Sequence, residues 1–496
     1  MRISGFASGL DIDSMVKELM TAQRVPLDKL SQQKQTVEWK REGYREMSTK
    51  LVSFSNNTLM NLSLSSSTNA MKANVTGATG VVSATTTGAA TNGSMTIEVE
   101  SLATASTVKS GTGTVANKGT AIVSTTASEI KINDVAIKVD ANETIDSLIS
   151  KINSNKDAKV TAVYDEKTGA LSLTNKESGK KDLTFSGQVL DQFKLGTATE
   201  GKNAKVTING LAMEKESNNF TVNGVNISLT GTHQTGQVTT INIAQDTDQV
   251  VDNIKKFVEA YNDLISSVNG KVGEERYRTY TPLTDDQKSD MTEDEIKLWE
   301  SKAKSGMLKN DSILQQTLSE MRTALMQDVN IGRTSSLNTG DRETLKTLNL
   351  SQLGITTGTW SEQGKLYLDE SKLRDALSKD PNAVSDFFGS KTVTTSSTTR
   401  YEDTDGIYSR LRKISQNSLE SLASTAGTSK TSSDLNATFM ASSLMGEQLK
   451  GIDDRITALK ARLVLKENQF YKQFTAMEVA MNKYNNTSSS LSSFMS

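Results

Sequence analysis

The chain has no cysteine, three prolines and a single histidine among 496 residues. The lack of thiols excludes disulfides, thiolate metal sites and cysteine nucleophiles together. It also fits a protein exported in an unfolded state. One histidine leaves no imidazole pair for a metal and little chance of a base beside an activated serine. Three prolines, Pro26, Pro282 and Pro381, confine enforced helix breaks to three places. Charge of one sign is missing too: 56 basic and 58 acidic residues give a net charge of −2. That leaves no broad electrostatic footprint for nucleic acid or an anionic membrane. No apolar run approaches the ~20 residues needed to span a bilayer, so no membrane insertion is expected. Met1–Leu10 (MRISGFASGL) has one basic residue and no apolar core. It is therefore not read as a cleaved secretory signal, and any export keeps the N-terminus intact. Aromatics make up only 5% and hydrophobic residues 35% of the chain. That is thin for one large core; it suits several small domains plus long helices that gain burial from partners. The length implies roughly three to four domains.

What is present is patterned. Near the start, Leu30, Val37, Tyr44 and Leu51 fall one per seven residues. Near the end, Leu449, Ile452, Ile456, Leu459 and Leu463 step by three and four, as do Phe470, Phe474, Met477, Met481 and Tyr484. Such spacing draws a narrow apolar seam along a helix, and a narrow seam calls for a second helix. Lys466 and Glu467 interrupt the second seam, which resumes with a register shift at Phe470. The fourteen seam residues are the candidate coiled-coil and oligomer interface. An ordinary intramolecular bundle is the plainer alternative for each seam. Helices bearing one narrow stripe are marginal alone, so the two ends are expected to pair only in the assembled state or an equivalent self-association.

Between the ends the pattern changes. Asp11 and Asp13 mark a helix start, and Pro26 should end or kink that helix. A longer helix is expected from about Leu27 to about Leu62, followed by a Ser/Thr/Asn/Gly passage. From Gly93 to Ile243 the signal is β. Thr96–Glu100 alternates, and Asn133-Asp134, Asn209-Gly210 and Asn223-Gly224 supply two-residue hairpin turns between β-branched residues. A fourth hairpin joins Val160–Tyr164 to Ala170–Leu173. One short helix bears Ile145, Leu148, Ile149 and Ile152 on a single face. Glycine-rich turns at Gly111–Gly119 and Gly196–Gly201 mark this α+β unit as an insertion in a second β domain. Helix returns at Asp248, with the wide apolar face Val251, Ile254, Phe257, Val258, Tyr261, Leu264, Ile265 and Val268 typical of a domain core. Thr292 and Glu295 have capping-box spacing, Asp311 caps a further helix, Leu366–Leu368 reads as a strand and Ser371 opens a helix before Pro381. The Ser/Thr linker KTVTTSSTTR precedes a helix at Ile407–Leu422.

Candidate chemistry is sparse. His233 sits in the turn-like GTHQTG without a second ligand at metal-binding spacing. Gly111-Thr112-Gly113 lacks the strand-to-helix context of a dinucleotide fingerprint. The cluster Asp285, Asp286, Asp290, Glu293, Asp294 and Glu295 lacks the glycine and terminal glutamate of a calcium loop; helix capping and a solvated face account for it. Neither a catalytic site nor a cofactor or metal site is assigned.

Several segments resemble the filament cap (hook-associated protein 2) family of bacterial flagella. They are Ser8-Gly9-Leu10-Asp11-Ile12-Asp13-Ser14-Met15-Val16 with Leu19-Met20 and Pro26-Leu27, then Phe257–Leu264 (FVEAYNDL), Gly306–Asp311 (GMLKND), Leu353-Gly354-Ile355 and Leu366–Asp369 (LYLD). Arg462-Leu463 and Gln473–Glu478 (QFTAME) are similar to the family's closing helix, and Lys131–Thr174 to a small insertion module of flagellins and hook-associated proteins.

The resemblance implies a multidomain α+β fold. A terminal coiled-coil leg (D0) is expected from residues 1–45 with 435–496, and a helical domain (D1) from 46–77 with 247–434. Two β-rich head domains are inserted in series: D2 from 78–106 with 200–246, and D3 from 107–199. The charged stretch Lys271–Ser305 is longer than in the shorter family versions. The resemblance further implies a non-enzymatic cap at the distal tip of the flagellum, extracellular and exported without a cleaved signal. Such a cap folds and inserts flagellin, prevents its loss to the medium, and is required for filament elongation and motility. Implied partners are a homo-oligomeric ring (a pentamer by the resemblance), flagellin, hook–filament junction proteins and a cytoplasmic export chaperone. The alternative reading is a surface adhesin binding host or matrix glycans through the head. An axial subunit such as flagellin itself fits less well, because its long terminal helices would be expected to lack the Ser8–Ile12 opening.

Overall fold

The computed structural model describes residues 11–111, 117–119, 122–389 and 401–495. Met1–Leu10, Thr112-Gly113 of the glycine turn and the KTVTTSSTTR linker lie outside the described residues. The chain forms two compact units: one of the residues up to Leu64 and from Val251 onward, the other of Ser65–Val250.

In the first unit, the N-terminal helix runs unbroken from Ile12 to Val52. Asp11 starts it, its carboxylate accepting from the Ser14 amide at 3.0 Å. Pro26 lies inside this helix and does not end it, which corrects the expected break. Proline removes one backbone bond, to the carbonyl of Ala22, but Ala22 and Pro26 are both exposed and water can take that carbonyl. The helix passes into a π-helical stretch, Ser53–Leu59, and a last turn, Met60–Leu62. It thus ends where its stripe fades in the sequence.

The helix Thr247–Gly273 buries all eight residues of its wide face. Phe257 packs edge-on against Phe388 and Tyr408, with ring centroids 5.4 and 5.3 Å apart. Asp311 caps Ser312–Met326 as expected, accepting from the Leu314 amide at 3.3 Å, and Ile407–Ala426 packs on that helix. Glu370–Lys379 is capped by Asp369 rather than opened by Ser371, because the Asp369 carboxylate reaches the Lys372 amide at 3.1 Å. The charged stretch forms two short helices, Asp285–Ser289 and Glu293–Lys304, each begun by a capping box. They lie against the N-terminal helix: Gln32 donates to the Pro282 carbonyl at 2.7 Å, and the Lys304 ammonium sits 5.0 Å over the Trp39 ring.

The second unit holds two separate apolar cores. The first lies between a five-stranded antiparallel sheet and a three-stranded one. The five-stranded order is Met71–Gly77, Thr239–Gln245, Gly93–Ser101, Ala204–Ile208, Leu211–Lys215. The three-stranded order is Asn219–Val222, Val225–Leu229, Val82–Thr86. Met95, Ile97 and Val99 face this core from alternate positions of one strand. The buried residues of the second core all lie between Val108 and Leu190, and Phe193, Leu195 and Ala198 pack against them. There the helix Ile145–Ser154 covers small sheets with Ile145, Leu148 and Ile152. All four expected hairpins form. The two-residue turns at Asn133-Asp134, Asn209-Gly210 and Asn223-Gly224 have φ of 49° and 63°, 49° and 81°, 48° and 77°, the double left-handed geometry that asparagine and glycine tolerate. The architecture is therefore multidomain α+β, with paired terminal helices, a helical domain and two β-rich domains nested in series.

The chain enters and leaves the second core through facing backbones. Thr104 bridges to Lys202, Thr107 to Thr199 and Ser110 to Leu195. Gly201 lies where segments converge: a Cβ there would stand 2.2 Å from the Gly179 carbonyl oxygen and 2.8 Å from that of Thr104.

Candidate assembly interface

The N-terminal helix packs along the C-terminal helix, Leu444–Met495, within one chain. This corrects the expectation that the ends pair only in an assembly. Neither helix is left as an isolated narrow stripe, because each supplies the other's partner. Asp13 accepts from the Tyr471 hydroxyl at 2.9 Å, and Lys34 donates to Asp453 at 2.7 Å, so the two run antiparallel. The bond to Asp453 raises the Lys34 ammonium above the ordinary lysine range. Near the start of the helix, Ile12, Val16 and Met20 are buried against Leu463, Phe470, Tyr471 and Phe474. Those three residues lie outside the heptad seam, but their spacing of four places them on one helix face.

The segment between Ile407–Ala426 and the C-terminal helix is strapped to the N-terminal helix. Arg41 donates to the Ala426 carbonyl at 2.6 Å and to that of Met440 at 2.8 Å. The Arg41 and Arg45 guanidinium groups lie 4.2 and 4.4 Å over the Phe439 ring, each a cation–π contact. Burial, and then the charge of Arg45, push the Arg41 guanidinium down. Ser48 donates to the Ser429 carbonyl at 2.9 Å.

The fourteen seam residues fall into three groups. Leu30, Tyr44, Leu51 and Ile452 are buried inside the unit. Val37, Leu449, Ile456, Leu459, Leu463, Phe470 and Phe474 are half-buried. Met477, Met481 and Tyr484 are 37, 39 and 76% exposed, with Leu491 exposed beyond them. Tyr44 and Leu51 do not sit on a two-helix seam. The second half of the N-terminal helix also buries Trp39, Met47 and Val52 and packs against Glu293–Lys304 and Ile407–Ala426. Tyr44 donates to the carboxylate of Asp311, the residue that caps Ser312–Met326. Burial and this bond push its phenol well up. Two other helices and the cap residue of a third pack on that half, so its buried face is wide where a heptad stripe is narrow.

Two family sequence models divide the chain in the same nested way. Flagellar hook-associated protein 2 N-terminus matches residues 8–106, and Flagellar hook-associated protein 2 C-terminus matches residues 201–486. The chain belongs to the flagellar hook-associated protein 2 family. The family member from Halalkalibacterium halodurans is 30% identical over 557 aligned positions, covering 100% of this chain and 99% of its own length. The Escherichia coli member is 29% identical, covering 98% of this chain and 96% of itself. The crystal structure of the flagellar cap protein FliD D1-D2-D3 domains from Escherichia coli superposes with a TM-score of 0.52 at 24% identity, covering 76% of this chain and 96% of that one. The last likeness is one of fold. Residues 107–200, which hold the second core of the head, fall between the two matched family segments.

Proposed function

We propose that this chain is a subunit of the flagellar filament cap, working with flagellin at the distal filament tip and promoting its folding and insertion. The carrying observation is family membership, seen in the C-terminal model match and in a relative aligned over the whole chain. The geometry supplies a means of assembly. The antiparallel pair Ile12–Val52 and Leu444–Met495 forms the leg, and its far end presents Met477, Met481, Tyr484 and Leu491 to solvent. Apolar side chains on such a row lose less by being covered than by facing water. We assign that row to contacts between subunits of a homo-oligomeric ring, with five copies by family resemblance. Among the described residues no helix is long and apolar enough to cross a membrane, consistent with a cap outside the cell. The domain limits 1–45 with 435–496, 46–77 with 247–434, 78–106 with 200–246, and 107–199 belong to the same proposal, as do the hook–filament junction proteins and an export chaperone as partners. The test is a deletion strain: it should be non-motile and release monomeric flagellin into the medium, and complementation should reverse both. Normal filaments in that strain would defeat the proposal.

A further inference from the structure

The only histidine of the chain completes a β-strand. Strand Thr239–Gln245 begins opposite Ile97 of strand Gly93–Ser101, so its pairing stops short of Val99. His233 takes over there. Its backbone amide donates to the Val99 carbonyl at 2.9 Å, and its ring Nδ1 accepts from the Val99 amide at 2.8 Å. The ring Nε2 lies 2.9 Å from the hydroxyl of Thr239, a fully buried residue. An amide pointing at Nδ1 requires the neutral ring with its proton on Nε2, since a protonated ring has no lone pair to offer.

The charged groups around the ring are few. Glu98, on the same strand, favours the protonated form, but burial weighs more and holds the imidazole below the ordinary histidine value. On the strand's other side Lys205 is held 4.0 Å from Glu100. The turn carrying His233 (GTHQTGQV) and the start of the next strand (TTINI) bring no charge. Two residues past Val99 the strand ends at Ser101, and the chain runs through Ala103 and Thr104 into the second core of the head.

We propose that His233 is a proton-operated latch: protonation at Nδ1 removes the acceptor from the Val99 amide and loosens the end of strand Gly93–Ser101 where the chain enters the second core of the head. The proton adds to the Nδ1 lone pair and displaces only the hydrogen bond from Val99; no covalent bond breaks. The neutral ring's contribution is fully present above the unfolded histidine value of about 6.5 and is lost as pH falls through the folded value.

Because there is one histidine, its ring resonances in an NMR titration of the full chain have no competitor. The midpoint should lie below about 6.5. The protection factor of the Val99 amide should be level above that pH. Below it, protection should fall by up to about tenfold per pH unit until the folded midpoint is reached. The amide of Leu173, remote from the ring, should show no such step. His233→Asn keeps an acceptor near the Nδ1 position that cannot titrate, and should abolish the Val99 step. A ring that titrates at or above the ordinary value would overturn the proposal, as would a Val99 protection factor indifferent to that titration. Should His233→Asn fold poorly, the wild-type comparison of ring and amide decides alone.

Discussion

At the residue scale, Arg410, 1% exposed, is a large charged side chain buried in the first unit. Its guanidinium is satisfied by backbone carbonyls: Asp405 at 2.8 Å, Ala324 and Gln327 at 3.2 Å, Asp328 at 3.0 Å and Asp403 at 2.8 Å. It joins the start of helix Ile407–Ala426 to the end of Ser312–Met326. Burial lowers its pKa, and nearby Tyr401, Asp405, Asp403 and Asp328 oppose that. Replacement by alanine strands those carbonyls and should cost on the order of 3–5 kcal/mol. Arg410→Lys should cost less but lose the planar fork. Chemical denaturation of both variants reads the difference, and equal stabilities would show that the fork contributes nothing. A second residue-scale prediction concerns acid. Burial alone would raise the Asp380 carboxyl, but bonds from Arg333 and Ser335 outweigh it and hold the group below the ordinary carboxylate range. Arg333 reaches the two Asp380 oxygens at 2.8 and 2.9 Å and Asp386 at 2.7 Å. A carboxylate depressed in this way contributes stability above its unfolded value of about 3.9 that is lost as pH falls through the folded value. Arg333→Gln should therefore move the acid unfolding midpoint upward. A midpoint that stays in place would show that this cluster does not govern acid unfolding.

Asparagines play a part at this scale that composition hides. Asn153 grips both backbone groups of Ala162 (2.7 and 3.0 Å), Asn218 those of Ala103 (2.8 and 2.9 Å) and Asn262 those of Leu366 (2.8 and 2.9 Å). Each side-chain amide substitutes for a neighbouring strand. Nothing local distinguishes these asparagines from loop asparagines, because their partners lie 9 to 115 residues away.

At the element scale, the leg is the informative case. Its two seams are legible because a period of three and four needs only local spacing. That the two ends meet in one leg was legible too; that they meet without a second copy was not, because a stripe does not say whose helix covers it. The structure makes the leg's stability uneven. Hydrogen exchange on the monomer should be slow over Ile12–Val52 and up to Phe474, and fast beyond Met477. Uniformly fast exchange would restore the idea that the ends pair only in an assembly. Phe470→Ala with Phe474→Ala removes two half-buried rings packed on Ile12, Val16 and Met20. A fully buried ring costs about 3–5 kcal/mol, so these should cost less. The loss should appear as faster exchange at Ile12–Met20 while the amides of Val251–Val268 keep their protection. Loss of protection in both places would mean that leg and helical domain unfold as one.

At the scale of the whole molecule, the nested head predicts a clean excision. The buried residues of the second core lie between Val108 and Leu190, with Phe193, Leu195 and Ala198 packed against them, and Thr107 faces Thr199 across a backbone bridge. Its four hairpin strands and the helices Ile145–Ser154 and Gln188–Asp191 make their contacts within the segment, which favours independent folding. Replacing 107–199 by a short Gly/Ser linker should leave the thermal transition of the first unit nearly unchanged. If the remainder becomes insoluble, the two cores of the head fold as one cooperative unit instead.

The sequence by itself determined the features that depend on neighbours along the chain. These are the hairpin turns at Asn133-Asp134, Asn209-Gly210 and Asn223-Gly224, the caps at Asp11, Thr292 and Asp311, the wide face of Thr247–Gly273, and the order of helical ends around β-rich inserts. Each rests on dihedral preference, capping or period, which a few residues settle. Only the tertiary structure decided that Pro26 stays within a continuous helix, since that turns on solvent reaching the Ala22 carbonyl. The same holds for Tyr44 and Leu51, enclosed by helices distant in the chain, and for His233, whose ring serves a strand 134 residues before it. In all three the outcome depends on what surrounds a side chain in space, and spacing along the chain carries no record of it.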